Sequence, residues 1–144
     1  MRIFKTKTKR LAGTRYREIY DDAFCIYEEI RHRTKRRPYL RSEYFKKQKV
    51  FLDVFWRHLH EKNWRDRARR LRFFPAAVEF IKRAVGSVPE SKENPNDKNE
   101  ILHRFTALTS DGHLFYIQIK EEKRSGNKSL LSVFPEKNQD TVLK

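Results

Sequence analysis

The sequence predicts an α+β fold in which basic N-terminal helices pack on a small C-terminal antiparallel β-meander. Apolar residues recur at helical spacing through most of residues 1–86, whereas strand-like alternation marks residues 100–136. The charge changes in the same region: residues 1–86 contain 25 Lys and Arg against 10 Asp and Glu, and residues 87–144 contain 9 of each. The whole net charge of +15 therefore belongs to the first segment, and a length of 144 residues suits one compact domain.

Helical periodicity organises the basic segment. We expect an irregular arm over residues 1–13, then helices over residues 14–33, from Ser42 to Asn63, over 64–73 and over 76–85. Pro38 separates the first two helices, because the residue before a proline disfavours helical backbone. Ser42 is a favourable N-cap residue for the second helix. Gly86 closes the last helix.

The second half of the chain predicts a connector and then strands. Residues 87–99 contain two prolines and no sizeable apolar run, which is typical of a connector. Strands are expected over residues 101–108, 114–120 and 130–134. Asp111-Gly112 between the first two is a strong hairpin signal. Residues 137–144 are expected to form a polar tail.

The register of this hairpin decides which polar side chains meet, and the sequence leaves two registers open. With a two-residue loop, His103 faces Lys120 across the strands. With a bulge at the loop, the pairing moves by one residue and Arg104 faces Gln118. In either register the face that bears Tyr116, Gln118 and Lys120 collects a His or an Arg, and Ser132 of the third strand can join it.

These side chains suit metal-free cleavage of RNA. The reaction needs a base for the 2′-hydroxyl, positive charge on the scissile phosphate and an acid for the leaving oxygen. Histidine can take either proton role near neutral pH, and Lys or Arg can stabilise the phosphate charge. The candidate catalytic residues are therefore His103, Lys120, Arg104, Gln118 and Ser132. A solvent-facing side of any small sheet also carries such residues, so the pattern equally fits a sheet without catalysis.

Three segments resemble the core of the barnase–EndoU–colicin–RelE-like (BECR) nucleases. They are Ile101–Phe105, Asp111–Lys120 and Leu131–Pro135, within about residues 99–136. The resemblance implies helices before an antiparallel sheet of about four strands, and RNA cleavage without a metal by side chains on the sheet. A fourth strand would come from Ile3–Thr6 or Thr141–Leu143.

The basic segment predicts a polyanion partner, with RNA favoured over DNA. Arginine matches phosphate with two hydrogen bonds, and exposed aromatic rings can stack on unpaired bases. The candidate nucleic-acid-binding residues are Arg33, Lys35, Arg36, Arg37, Tyr39, Arg41, Lys46, Arg65, Arg69 and Arg72. An acidic antitoxin or inhibitor protein is the second candidate partner.

Other classes of site are not expected. The single cysteine, Cys25, excludes an intramolecular disulfide and a cysteine-based zinc site, and His58 and His60 would point to different faces of a helix. No metal or other cofactor is therefore predicted. No apolar stretch reaches the 18 or so residues of a membrane span, so neither a membrane partner nor a location outside the cytoplasm is expected.

The leading hypothesis from the sequence is an RNA-binding, metal-independent ribonuclease of toxin or mobile-element type. The alternatives are a non-catalytic nucleic-acid-binding protein and an interaction protein that binds an acidic partner.

Overall fold

A computed structural model describes residues 3–136 and confirms that the fold combines helices with a sheet. Its elements, in chain order, are β1 (Phe4–Lys5), α1 (Tyr16–Arg33), β2 (Tyr39–Ser42), β3 (Gln48–Phe51), α2 (Asp53–His60), α3 (Trp64–Leu71), α4 (Phe74–Arg83), β4 (Glu90–Asn94), β5 (Asp97–Leu108), β6 (Leu114–Glu122) and β7 (Lys128–Pro135). The predicted polar tail and the predicted strand Thr141–Leu143 lie outside the described residues.

The sheet is mixed, which corrects the prediction of a small, purely antiparallel C-terminal meander. The strands lie in the order β1-β5-β6-β7-β3-β2 across the sheet. Within this order, β5, β6 and β7 pair antiparallel, as predicted. The N-terminal part adds β1 in parallel to β5 and β3 in parallel to β7, while β4 pairs with β5. The predicted meander forms the middle of a larger sheet. Strands from the N-terminal part of the chain extend this sheet on both sides.

The predicted helix starting at Ser42 is wrong in its first half, where a β-hairpin forms. Strands β2 and β3 pair from Tyr39↔Phe51 to Ser42↔Gln48. Val50 is fully buried, so alternation along β3 places it in the core. Ser42 is not an N-cap; its hydroxyl oxygen accepts a hydrogen bond from the Phe45 amide inside the turn, at 3.1 Å. Helix α2 retains the second half of the predicted helix.

The predicted connector over residues 87–99 contains a strand and the beginning of another. Strand β4 pairs antiparallel with β5, from Glu90↔Arg104 to Asn94↔Asp97. Most of β4 is exposed at the edge of the sheet, so it needs no apolar pattern, and this is why the sequence read as a loop.

The β5–β6 hairpin adopts the register that a bulge at the loop predicts. Arg104 pairs with Gln118 and Thr106 with Tyr116. The loop closes through a hydrogen bond from the Gly112 amide to the Thr109 carbonyl at 3.0 Å, and Gly112 has a φ of 89°, which glycine adopts without strain.

One hydrophobic cluster joins the helices to the sheet. Phe73 stacks on Phe115 with ring centroids 5.1 Å apart, and Phe80 packs on Phe105 at 5.0 Å. Because Phe105 and Phe115 occupy this covered face, the side chains directly before and after them in each strand point to the other face. Within residues 3–136, no helix is long and apolar enough to cross a membrane.

Candidate active site

The predicted pair of His103 and Lys120 does not form, because the observed register places the two side chains on opposite faces. His103 faces Ile119 on the core side and is 9% exposed. Its Nε2 is hydrogen bonded to a Glu121 carboxylate oxygen at 2.8 Å, and its Nδ1 to the Ser91 hydroxyl at 2.7 Å. Lys120 lies on the other face, with Nζ 3.4 Å from a Glu100 carboxylate oxygen. His103 and Lys120 therefore do not share a site.

Three other predicted catalytic residues form a row across the sheet. Arg104 of β5 pairs with Gln118 of β6, and Gln118 pairs with Ser132 of β7. Directly paired residues share a face, so the three side chains lie on the side opposite Phe105 and Phe115. We call this side the polar face.

Arg70 of α3 joins this row and was absent from the predicted catalytic set. Its Nη1–H donates to the Ser132 hydroxyl at 2.6 Å, and its Nε–H donates to Asp66 at 3.2 Å. The spacing of Asp66 and Arg70, four residues apart on a helix, is a signal that an ion pair orients this arginine. Its contact with Ser132 spans 62 positions of sequence and has no local signal.

Tyr116 and Glu136 form a second polar pair beside the row. The Tyr116 hydroxyl donates a hydrogen bond to the Glu136 carboxylate. This hydrogen bond, together with burial, raises the pKa of Tyr116 above its ordinary value. The Arg104 guanidinium carbon lies 5.0 Å from the centre of the Tyr116 ring, a cation–π contact that fixes the arginine above the pair.

These groups line a cleft of about 340 Å³ on the polar face, which we call the arginine cleft. Its lining residues are Asp66, Arg69, Arg70, Arg104, Tyr116, Phe134, Pro135 and Glu136. A second hollow of about 240 Å³ lies on the other side of Arg104 and includes Glu90 and Gln118. Arg104 therefore separates two adjoining hollows on one surface, and its guanidinium is 3.4 Å from Glu90.

The arginine cleft combines anion-binding and proton-transferring groups. Arg69, Arg70 and Arg104 offer planar donor forks of the kind that bind phosphate. Tyr116 offers a protonated hydroxyl and Glu136 a carboxylate, so the pair can give and take a proton. Within the described residues, no group of three or more His, Cys, Asp and Glu side chains is placed to hold a metal ion.

Several of the predicted nucleic-acid-binding residues have structural partners. Arg37 donates two hydrogen bonds to Asp53, at 2.9 and 2.8 Å, at the start of α2. Arg33 pairs with Glu29 at 2.9 Å, and Arg72 donates to the Gly13 carbonyl at 2.6 Å. Burial raises the pKa of Asp53, but the hydrogen bonds and charge of Arg37, the Asp53 backbone amide and the charge of Arg57 together hold it below the ordinary value. These three arginines therefore take part in contacts within the fold.

Other members of the predicted set remain exposed. Lys35, Arg36 and Lys46 are exposed, and none of the three has an ion pair within residues 3–136. Arg65 lies 5.2 Å from the ring of Trp64, which is 57% exposed. Arg69 lies in the arginine cleft.

The remaining two predicted residues belong to a cation–π stack on the β2–β3 hairpin. The Tyr39 ring has the Arg41 guanidinium at 5.6 Å and the Lys49 ammonium at 4.6 Å. The stack orders two cations beside an aromatic surface without neutralising either charge.

In comparisons with family models, with curated proteins and with solved structures, nothing matches this chain. The resemblance to the BECR nucleases therefore stays a prediction, and the candidate site rests on its own geometry.

Proposed function

We propose that the protein is an RNA-binding, metal-independent endoribonuclease of toxin or mobile-element type that acts in the cytoplasm. The observation that carries the proposal is the convergence, in the arginine cleft, of Arg70 and Arg104 with the Tyr116–Glu136 pair. These groups meet the needs of cleavage by the 2′-hydroxyl, which are positive charge at the phosphate and groups that move two protons.

The guanidiniums bind the scissile phosphate. Arg70 is held by Asp66 and Ser132, and Arg104 is held over the Tyr116 ring, so both are placed before substrate arrives. Placing charge in advance avoids reorganisation when negative charge grows on the phosphate oxygens. Gln118, between Arg104 and Ser132, lies where its amide can bind a further oxygen.

The Tyr116–Glu136 pair moves the protons. Glu136 accepts the proton of the 2′-hydroxyl while the 2′-oxygen bonds to phosphorus. The bond from phosphorus to the 5′-oxygen breaks, and that oxygen takes the proton of Tyr116, which leaves a 2′,3′-cyclic phosphate and a 5′-hydroxyl. Because Tyr116 and Glu136 are hydrogen bonded to each other, the proton on Glu136 then returns to Tyr116 and restores the starting state.

The basic surface supplies affinity for the rest of the RNA. Neutralising several phosphates releases counterions, so binding falls steeply as salt rises. The same charge suits an acidic inhibitor protein, which would compete with RNA for it.

Cleavage of RNA in EDTA tests the proposal. Wild type is incubated with a labelled RNA and with the matched DNA strand, next to Arg104→Gln, Tyr116→Phe and Glu136→Gln. Each variant should lose about 10²-fold or more in rate, the scale of one positioned charge or one acid–base group. The matched control is Lys120→Ala, which removes a cation of the same face that lies outside the arginine cleft.

A non-catalytic nucleic-acid-binding protein is the second candidate. It is favoured by the ion pairs Asp66–Arg70 and Glu90–Arg104, which engage both guanidiniums in the free protein. RNA that is bound in a gel shift and recovered intact under every condition would establish this candidate. Cleavage that requires added metal, or equal cleavage of the DNA strand, would contradict the proposed mechanism.

A further inference from the structure

A second cleft of the protein is a different site from the arginine cleft. It measures about 710 Å³ and lies between the turn of the β2–β3 hairpin and the turn between β6 and β7. Its charged lining residues are Lys46, Lys49, Lys128 and Glu121. Glu121 and Tyr116 are five residues apart on β6, which is roughly 17 Å along a strand, and they point to opposite faces. We call this cleft the lysine cleft.

The floor of the lysine cleft is a buried ammonium group. Lys128 is 4% exposed, and its Nζ–H groups donate to the Gln48 side-chain oxygen at 2.5 Å and to the Gly126 carbonyl at 2.8 Å. Its nearest carboxylate is Glu121 at 3.7 Å, and Glu121 also accepts a hydrogen bond from His103. One carboxylate is thus shared by a buried cation and a histidine, and it does not neutralise the two lysines of the rim.

The rim adds cations and exposed ring surface. Lys46 and Lys49 are exposed, and Lys49 is ordered by its contact with Tyr39. Tyr44 is 37% exposed and packs edge-on against Phe45, with ring centroids 4.8 Å apart. Ring faces beside ammonium groups match a nucleotide, in which a flat base is attached to a phosphate.

The backbone of the rim is strained where the lysines sit. Lys46 has a φ of 56° and Lys47 a φ of 69°, in the left-handed region that glycine occupies at no steric cost. Such conformations are strained for residues other than glycine and are concentrated at ligand-binding sites. Glycine at position 46 would fit the turn better, so a side chain there suggests a role for its charge.

We infer that the lysine cleft binds one unpaired nucleotide of a single-stranded nucleic acid. Lys46 and Lys49 hold its phosphate, and its base lies against Tyr44. The choice of a nucleic acid rests on the proposed function, for which the lysine cleft would select single-stranded over paired substrate, because a base inside a duplex has no free face to offer.

Binding of a fluorescent single-stranded oligodeoxynucleotide tests the inference. Such a strand lacks the 2′-hydroxyl and cannot be cleaved by the proposed reaction, so its affinity, read by anisotropy at fixed salt, does not depend on catalysis. Lys46→Gly, Lys49→Gln and Tyr44→Leu should each weaken binding about fivefold to tenfold. The control Lys9→Gln removes the same charge from an exposed position beside the β5–β6 loop and should change affinity less than twofold, roughly the effect of one distant surface charge.

Two further measurements separate the parts of the inference. Lys46→Gly should melt no lower than wild type, because glycine relieves the strained turn; weaker binding is then not a result of unfolding. A strand with abasic sites should lose the dependence on Tyr44. Equal effects of the Lys46, Lys49 and Lys9 substitutions would overturn the site. Tight binding of an acidic peptide in place of the strand would overturn its ligand.

The binding and cleavage experiments distinguish failure of this inference from failure of the proposed function. If the strand binds as expected and RNA is never cleaved, the lysine cleft stands and the ribonuclease proposal falls. If RNA is cleaved while the three variants bind the strand like wild type, the ribonuclease proposal stands and the lysine cleft falls.

Discussion

Arg70 of α3 and Ser132 of β7 are linked by a hydrogen bond of 2.6 Å that ties the basic helices to the polar face of the sheet. Arg70 is 19% exposed at its side chain and carries an ion pair with Asp66 as well. The arginine is therefore fixed on two sides, and it lines the arginine cleft.

The shape of Arg70, as well as its charge, should matter for cleavage. Arg70→Lys keeps the positive charge but loses the planar fork that contacts Asp66 and Ser132 together. We expect an initial rate of RNA cleavage about 10²-fold lower for Arg70→Lys, and a smaller loss for Ser132→Ala, which leaves the guanidinium in place. Full activity of Arg70→Lys would mean that charge alone is needed at this position.

His103 should contribute to stability and not to catalysis. His103→Ala removes both ring hydrogen bonds and leaves the Ser91 hydroxyl and the Glu121 carboxylate without this partner. We expect the free energy of unfolding, measured by urea denaturation, to fall by about 1–3 kcal/mol. Lys120→Ala, on the exposed side of the same hairpin, should change it by about 0.5 kcal/mol or less. If His103→Ala lost most of the cleavage rate at unchanged stability, His103 would have a role in catalysis and this prediction would be wrong.

Substitutions of two adjacent arginines should have different effects, one on nucleic-acid binding and the other on stability. Arg36 has a φ of 67°, so Arg36→Gly removes a charge and relieves backbone strain, whereas Arg37→Ala removes the two hydrogen bonds to Asp53. We expect Arg36→Gly to reduce the log–log salt slope of single-strand binding by about 0.7 without lowering the melting temperature. Arg37→Ala should lower stability by about 1 kcal/mol or less, since the pair is partly exposed. A loss of stability in Arg36→Gly, together with unchanged stability in Arg37→Ala, would contradict the structure.

Asp111 should make stability depend on acid pH. Burial raises the pKa of Asp111, but hydrogen bonds from Thr109 and Arg10 outweigh it and lower the pKa to about 2. A carboxyl whose pKa is lower in the folded state stabilises the fold above its unfolded pKa, near 3.8, and this contribution disappears as the pH falls through about 2.

The comparison of wild type with Asp111→Asn tests this linkage. After allowance for solvent screening, we expect wild type to be about 1 kcal/mol more stable at pH 6, with the difference closing near pH 2. The measurement is urea unfolding at both pH values. A difference that is the same at pH 2 and pH 6 would show that the charge of Asp111 is not its cause.

Local patterns predicted the elements that are held by nearby residues. The spacing of Ile19, Ala23 and Ile30 predicted α1, and all three are buried. The alternation of Phe115, Ile117 and Ile119 predicted β6 and its core face, because a strand with one covered face shows its burial directly in the sequence.

Elements that depend on distant partners escaped prediction. Strand β3 pairs with its neighbour β2, but it joins the sheet through Val50 and Phe51, which pair with Lys128 and Ser129 about 80 positions later, and nothing near Ser42 signals this. The polar face depended on a one-residue choice of register, which exchanged His103 for Arg104. Predicting which of these side chains share a face of the sheet therefore needed the three-dimensional arrangement.

The parallel pairing of β3 with β7 has a consequence for the order in which the chain can fold. Strands β2 and β3 are made early during synthesis, but the edge that receives them is not made until residues 128–135. Closing a loop of this length costs entropy before any contact repays it, so high contact order predicts slow folding. Tyr116, Ser132 and Glu136 are also synthesised after most of the described chain. The arginine cleft therefore assembles only when the sheet is nearly complete. A ribosome that makes this protein must therefore reach residue 136 before the proposed ribonuclease can become active.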